Sequence, residues 1–350
     1  MPEVMTAAVL TAHGGPEVLQ VRHNVPVPTP GPGDVLVEVT AAAVNNTDIW
    51  TREGAYGSAS NPAAIAGWQG VPLRFPRIQG TDITGKIVCV GDGVDTGRVG
   101  QRVVVDPAIF ESEAEEARLL AVLGSEYDGG FAQFVVVQAE HAHDVSDSPL
   151  TDEQLACLPT AYGTAMGMLE RASIHEGEVV LVTGASGGVG LALVQLAAAR
   201  SARVVALTSE GKQEIARQAG AQEVVLRSSD DLANAITRAA GGPLDAVADV
   251  VGGSVFSTLI PLLRDAGRMV IAGAIAGPVV EFDLRVLYLH RRILIGSTMH
   301  TPMHFRRLME SARSGSISPV VGQTYPLKRI HDAQRDFVEK RYPGKLVLLP

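Results

Sequence analysis

Two cysteines, Cys89 and Cys157, are all that 350 residues contain. They exclude a disulfide framework and cannot by themselves form a cysteine zinc cluster, which takes about four ligands. Long hydrophobic runs are also missing. No uninterrupted apolar stretch reaches the ~18 residues that read as a membrane span. There is no Lys/Arg block, and the formal net charge is −9. A net acidic chain without basic clusters is a poor partner for nucleic acid or an anionic membrane. The opening segment, MPEVMTAAVLTAHGG, has no basic region followed by an apolar run. No signal peptide is therefore expected, and a cytoplasmic location is. Internal repeats and low-complexity tracts are absent too. What is present is an ordinary globular composition, 46% apolar and 19% charged, with enough apolar surface for sizeable cores. The length predicts two domains at about 100–200 residues each. The expected partner is a small molecule.

Residues 1–150 read as β-rich and heavily punctuated. VPVPTPGPGD (25–34) must be extended or turning. DVLVEVTAAAV (34–44), GKIVCVGDGV (85–94), QRVVVDP (101–107) and GGFAQFVVV (129–137) read as strands closed by turn residues. Many short strands with Gly/Pro turns predict a barrel or sandwich. Two stretches interrupt this pattern. Residues 53–76 are rich in Gly, Ala and Pro, with Trp68 and no period. Residues 108–125 carry Glu111, Glu113, Glu115 and Glu116 ahead of Leu119, Leu120, Val122 and Leu123, and suggest a short amphipathic helix with a solvated acidic face.

The pattern changes after Pro149. Thr151 with Gln154 three residues on forms a capping-box signature for a helix start. From residue 179, strands and helices alternate: 179–184 strand, 189–201 helix, 203–209 strand, 212–220 helix, 223–226 strand, 230–241 helix, then 245–253. FSTLIPLLRDAG (256–267) and the strand-like RMVIAGA (268–274) follow. Such alternation predicts a parallel sheet covered on both faces. Helices near 303–315 and 330–340 and a terminal strand, GKLVLLP, close the sequence.

The sharpest motif is VVLVTGASGGVGLALVQLAAA (179–199), a strand that enters a glycine turn and opens a helix. Ala185, Gly187 and Gly190 occupy the three small-residue positions of a dinucleotide fingerprint. Ser186, Gly188 and Val189 complete the turn. Small residues there allow the tight turn, close approach of backbone to pyrophosphate, and close helix–strand packing. The phosphates would meet exposed amides and the positive end of the helix dipole. An NAD enzyme usually carries Asp or Glu at the end of the second strand. Here Thr208 and Ser209 stand there, with Lys212 just beyond and Arg227 after the third strand. This favours NADPH over NADH. Glu210 is the counter-argument, since an inward turn would bring its carboxylate to a 2′-hydroxyl.

AAVNNTDIWTREG (42–54), PRIQGTDITGKIVCVGDGV (76–94), DGGFAQFVVV (128–137), LPTAYGTAMGML (158–169) and VLVTGASGGVG (180–190) follow in an order that resembles the medium-chain dehydrogenase/reductase superfamily. The resemblance covers nearly the whole chain and is nearest the zinc-free quinone oxidoreductase-like branch. It implies an α/β fold: a Rossmann doubly wound parallel sheet at 151–297, plus a GroES-like β-barrel domain at 1–150 completed by 298–350. It implies an active site in the cleft between the two, and a homodimer. ILIGST (293–298) is a possible pairing edge strand.

Zinc alcohol dehydrogenases resemble the chain but carry Cys in place of Asn45, His-Glu in place of Thr81-Asp82, and Cys in place of Thr160. Neither their catalytic nor their structural zinc is expected here. The implied reaction is NADPH-dependent hydride transfer to a small-molecule electrophile, a quinone or an enone C=C bond. An enoyl-thioester reductase and a non-catalytic NADPH-binding protein are the alternatives. The resemblance assigns Asn45 to the site as a hydrogen-bond donor, with strand-end capping as the competing role. Asp48 would orient or cap rather than act as an acid. Tyr56 would protonate or stack, and Thr160 would line the site. Thr164 would lie near the nicotinamide amide, and Ala272 would join the cofactor residues. His141 and His143 read as surface residues, and the i, i+4 spacing of His300 and His304 suggests one solvated helix face.

Overall fold

In a computed structural model that describes residues 1–55, 72–114 and 117–350, the chain forms two units. The first comprises Met1–Thr160, Thr301–Gly315 and Val320–Pro350; the second comprises Ala161–His300 and Ser316–Pro319. The boundaries expected from sequence, after residues 150 and 297, fall ten and three residues before these. Among the described residues no helix is long and apolar enough to cross a membrane.

The first unit is built around the strand Asp34–Ala43. Val37 and Val39 alternate with exposed Glu38 and half-buried Thr40, while residues 35–37 and 41–43 are buried on both faces. It pairs antiparallel with Asp82–Val90, Phe134–Gln138 and Lys345–Leu349. The sheet continues through Arg102–Val105 to Ala142–Asp144 on one side and to Val321–Pro326 on the other. A three-stranded sheet of Leu19–Pro26, Val4–Leu10 and Arg77–Ile78 lies beside it. Leu10, Leu19, Val35, Ile83, Ile87 and Phe131 are fully buried in one core of this unit, and each such side chain contributes about 1.5–3 kcal/mol.

The capping box at Thr151 forms. The Gln154 N–H donates to Thr151 Oγ1 at 3.3 Å, the Thr151 N–H donates to Gln154 Oε1 at 3.1 Å, and the helix runs Asp152–Ala156. The amphipathic helix expected within 108–125 does not form. Two short strands, Ala108–Phe110 and Leu119–Val122, pair antiparallel instead. The β-branched and leucine residues pair across the two strands. Glu115 and Glu116 lie outside the described residues.

The second unit holds one six-stranded parallel sheet. Its spatial order is Glu223–Leu226, Arg203–Thr208, Val179–Val182, Leu244–Asp249, Leu263–Ile271, Ile293–Gly296. In chain order that is 3-2-1-4-5-6, the doubly wound arrangement in which strand order reverses beside the first strand. Near-continuous apolar strands such as VVLV suit a sheet covered on both faces. Val180, Leu181, Val182, Val204, Val205 and Val247 are all fully buried. The fifth strand begins at Leu263, five residues before the expected RMVIAGA, and a register shift near Ala246 absorbs the extra length. Ile293–Gly296 is the edge strand, with Ile293 and Leu294 exposed.

Candidate active site

In the first unit, three strand ends bring chemistry together. Ala43 lies opposite Asp82 on one side. On the other side, the pairs Leu348–Ala42 and Val347–Ala43 continue toward Lys345 and Asn45. The sheet register therefore sets Asn45 between a carboxylate and an ammonium. Asn45 (6% exposed), Asp82 (0%) and Lys345 (4%) are all buried.

Lys345 Nζ donates to the Val44 carbonyl at 3.0 Å and to Asn45 Oδ1, and forms an ion pair with Asp82 Oδ2 at 3.0 Å. The other carboxylate oxygen, Asp82 Oδ1, accepts the Thr160 N–H at 2.7 Å. Thr160 lies in a single π-helical turn, Leu158–Tyr162. Such turns insert one residue into a helix and occur often at functional sites. The Thr160 hydroxyl is buried without a hydrogen-bond partner. Asn45 Nδ2 donates to the Ala43 carbonyl at 3.2 Å, which uses one of its two N–H groups.

Asn45 also precedes the helix Asn46–Glu53 as its N-cap residue. Its backbone N–H donates to Asp48 Oδ2 at 2.7 Å, as a third helical residue does in a capping box. Asp48 thus occupies an orienting position. Gln79 Nε2 donates to the Asp48 carbonyl at 2.9 Å. Asp48 is 2% exposed, and burial pushes its carboxyl up to about 7, against the lowering effect of the Asn45 N–H. Burial likewise pushes the Cys157 thiol up to about 12. Its Sγ donates to the Glu153 carbonyl. Tyr56 lies outside the described residues.

In the second unit, the first strand ends at Val182, and Gly184 turns the chain at φ 57°. Gly187 is the N-cap of the helix Gly188–Ala199. Gly190 has to be glycine, because a Cβ there would lie 2.1 Å from the Gly184 carbonyl oxygen. This is the close helix–strand packing that the fingerprint's third small residue provides. The amides of Gly188, Val189 and Gly190 belong to the helix's first turn, where no intrahelical carbonyl is in reach. Thr183 Oγ1 donates to Asp249 Oδ1 at 2.6 Å, and the same carboxylate accepts the N–H groups of Val251 and Gly252. This buried knot fixes the ends of the first and fourth strands beside the turn.

Thr208 ends the second strand and is buried. Ser209 and exposed Glu210 follow, and the Lys212 N–H closes the turn on the Ser209 carbonyl at 3.3 Å. The Arg227 N–H donates to the Thr208 carbonyl at 2.9 Å, so Arg227 emerges beside that strand end. Ala272 donates its N–H to the Asp249 carbonyl at 3.0 Å. Thr164 is buried in the helix Gly163–Arg171. Ala185 is buried, and Ser186 is half-buried.

Two histidines differ from expectation. His300 and His304 are 0% and 2% exposed, not solvated. His300 packs so closely on Gly163 that a Cβ there would lie 2.4 Å from its Nδ1. His304 completes a capping box with Thr301 at the start of the helix Pro302–Ser314. His141 and His143 are half-buried, and the His143 ring stacks obliquely on Phe305 at 5.0 Å.

Residues 31–147 match the family model for the alcohol dehydrogenase GroES-like domain, and 188–314 match the model described as zinc-binding dehydrogenase. The quinone oxidoreductase of Lama guanicoe is 30% identical over 99% of this chain and 98% of its own. The chain belongs to the medium-chain dehydrogenase/reductase superfamily and is quinone oxidoreductase-like. A crystal structure from Sinorhizobium meliloti 1021, named as a candidate alcohol dehydrogenase, superposes with a TM-score of 0.94 at 48% identity, covering 100% of this chain and 98% of that one. The 2-octenoyl-CoA carboxylase reductase CinF, solved with NADP and 2-octenoyl-CoA, gives a TM-score of 0.86 at 26% identity, covering 100% and 88%. This chain is a medium-chain oxidoreductase, and its structural neighbours include an NAD-dependent alcohol dehydrogenase and the NADP complex of CinF.

The zinc named in one family description does not suit the residues present. Asn45, Thr81 and Thr160 offer neutral oxygens, and the carboxylate among them, Asp82, already faces an ammonium. Catalytic zinc takes about three ligands drawn from thiolate, imidazole and carboxylate. No group of three or more His, Cys, Asp or Glu among the described residues is placed to hold a metal. The glycine turn, by contrast, suits a dinucleotide: Gly190 packs on the Gly184 backbone with no room for a Cβ, and the first-turn amides beside it lack intrahelical acceptors.

Sequence reasoning missed Lys345 and the Thr183–Asp249 knot. Lys345 left one signal, a lone charge opening the apolar run KLVLL. Long Lys stems often lie on apolar surface with the charge in water, so that signal reads equally well as a surface residue.

Proposed function

We propose that this chain is an NADPH-dependent reductase that passes hydride to a quinone or to an activated C=C bond without a metal. The observation that carries this reading is the set of buried Asn45, Asp82 and Lys345 with half-buried Thr160. It contains an amide, a carboxylate, a hydroxyl and an ammonium, and no thiolate or imidazole. A site without a Lewis acid suits acceptors that are already electrophilic, which need positioning and modest hydrogen bonding to the oxygen that gains charge.

NADPH supplies the hydride when bound. The amides of the turn from Ser186 to Gly190 would take its pyrophosphate. Lys212 and Arg227 would take the 2′-phosphate, and Thr164 and Ala272 would lie along the nicotinamide. Asn45 has one Nδ2–H left after Ala43, and this donates to the acceptor oxygen. Thr160 lines the same site through its unpartnered hydroxyl, and Asp48 holds the Asn45 backbone in place. A cytoplasmic homodimer paired through the exposed edge Ile293–Gly296 completes the proposal.

Stopped-flow oxidation of NADPH by a small quinone tests it. Asn45→Ala should slow single-turnover hydride transfer and leave NADPH affinity unchanged, and an unaltered rate would remove Asn45 from the reaction. The CinF complex favours a second reading, reduction of an α,β-unsaturated thioester. Faster turnover on an enoyl-CoA than on any quinone or simple enone would decide for it.

A further inference from the structure

The hydride chemistry proposed above has no direct use for Lys345, yet the chain buries this cation beside Asn45 at 4% exposure. Two of its N–H groups donate to the Val44 carbonyl and Asn45 Oδ1, and the Asp82 carboxylate forms an ion pair with it at 3.0 Å outside hydrogen-bond geometry. All three contacts are to the protein itself. What it does control is the direction of an amide. The oxygen and nitrogen of an Asn side chain are nearly the same size, so shape alone does not choose between the two flipped states.

Two contacts make the choice here. The ammonium requires Oδ1, because a flip would set NH₂ against NH₃⁺ and lose a charge-assisted hydrogen bond. The Ala43 carbonyl requires Nδ2 and would face a second oxygen after the flip. The register of the terminal strand holds Lys345 in place, through Val347 opposite Ala43 and the Val44 N–H on the Leu346 carbonyl at 2.9 Å. Asp82 balances the charge and is itself held by the Thr160 N–H. We infer that Lys345 is a positioning residue for the reduction. By fixing Asn45 Oδ1 inward it keeps one Nδ2–H pointing away from the cluster, ready to donate. This rests on the donor role proposed for Asn45.

The test is a double-mutant cycle on the full chain, with NADPH and a small quinone, read by single-turnover hydride transfer. Lys345→Met alone would leave Asp82 buried without a counter-charge, so Asp82→Asn is combined with it. Thermal melting and NADPH affinity verify that each protein is folded and loaded. The neutral pair Asp82→Asn/Lys345→Met should lose roughly tenfold to a hundredfold in hydride-transfer rate, the scale on which misplaced reacting groups act. Added to Asn45→Ala, the pair should cause little further loss, because residues that act through one another do not add. The companion pair Asp82→Asn/Lys345→Gln keeps a donor for Asn45 Oδ1 and should recover most of the rate.

The inference is overturned by a wild-type rate in the Met pair, by losses that multiply in the triple variant, or by equal losses in the Met and Gln pairs. If Asn45→Ala alone leaves the rate unchanged, the donor role of Asn45 fails and this inference fails with it. If Asn45→Ala slows transfer while the Met pair does not, the donor role stands and only the part assigned to Lys345 is lost.

Discussion

Asp48 should make the protein less stable as the solution turns from mildly acidic to mildly basic. Its carboxyl is buried, and burial raises it from 3.8 to about 7 in the folded chain. Over that interval the folded state holds a proton that the unfolded state has released. Stability linked to this group is therefore greatest below about pH 4, declines as pH rises toward 7, and levels off above. The full difference corresponds to roughly 4 kcal/mol at 1.36 kcal/mol per pH unit. Between about pH 5 and pH 8 the same linkage gives a loss of roughly 2.5 kcal/mol. Asp48→Asn keeps an oxygen that accepts the Asn45 N–H and removes the titration. Urea unfolding of both proteins across this range, reported as wild type minus variant, isolates Asp48 from the other titrating groups. The difference should slope by roughly 2–3 kcal/mol, the variant gaining on wild type as pH rises. A flat difference would mean that the carboxyl is solvated or already ionised when folded, and would refute the reasoning.

Three further outcomes follow from the two sites. Gly190→Ala sets a methyl 2.1 Å from the Gly184 carbonyl oxygen, so it should abolish the NADPH fluorescence change; retained binding would show that the turn relaxes freely. Lys212→Ala should raise the Michaelis constant for NADPH relative to NADH by about tenfold, the scale of one lost charge-assisted contact of about 1.5 kcal/mol, and an unchanged ratio would take Lys212 out of the 2′-phosphate site. Prolonged dialysis against a strong chelator should leave quinone turnover intact, with elemental analysis of the active protein finding zinc well below one per chain; stoichiometric zinc with lost activity on its removal would contradict the metal-free reading.

Local chemistry made the second unit legible. The run VVLVTGASGGVG contains a buried strand, a turn and a helix start within a dozen residues, and each is dictated by neighbours in sequence. The box at Thr151 is legible for the same reason. Residues 108–125 misled because four glutamates ahead of a leucine run fit a helix face as well as a pair of short strands, and strand pairing decides between them only in three dimensions. His300 and His304 misled in a similar way: i, i+4 spacing suggested one solvated face, but His300 precedes the helix and His304 caps it. The role of Lys345 was not legible, since its one signal reads equally well as a surface residue. Its partners Val44, Asn45 and Asp82 stand some 260 to 300 positions away, and only the sheet register brings them together. The charge of Asp82 could be read from the sequence, but the cation that neutralises it could not.

The strand Lys345–Leu349, which pairs with Asp34–Ala43, also constrains the order of events during synthesis. A ribosome makes the parallel-sheet segment, 161–300, before it makes this strand. The parallel-sheet unit can therefore condense while the other unit still awaits this β partner. Pairing across so long a span of chain is slow, because loop closure must precede any reward, and the strand edge beside Ala43 stays open to wrong partners until then. A nascent chain stopped before Lys345 would lack the ammonium that pairs with Asp82 and Asn45, so this buried cluster is among the later contacts to form as the protein is born.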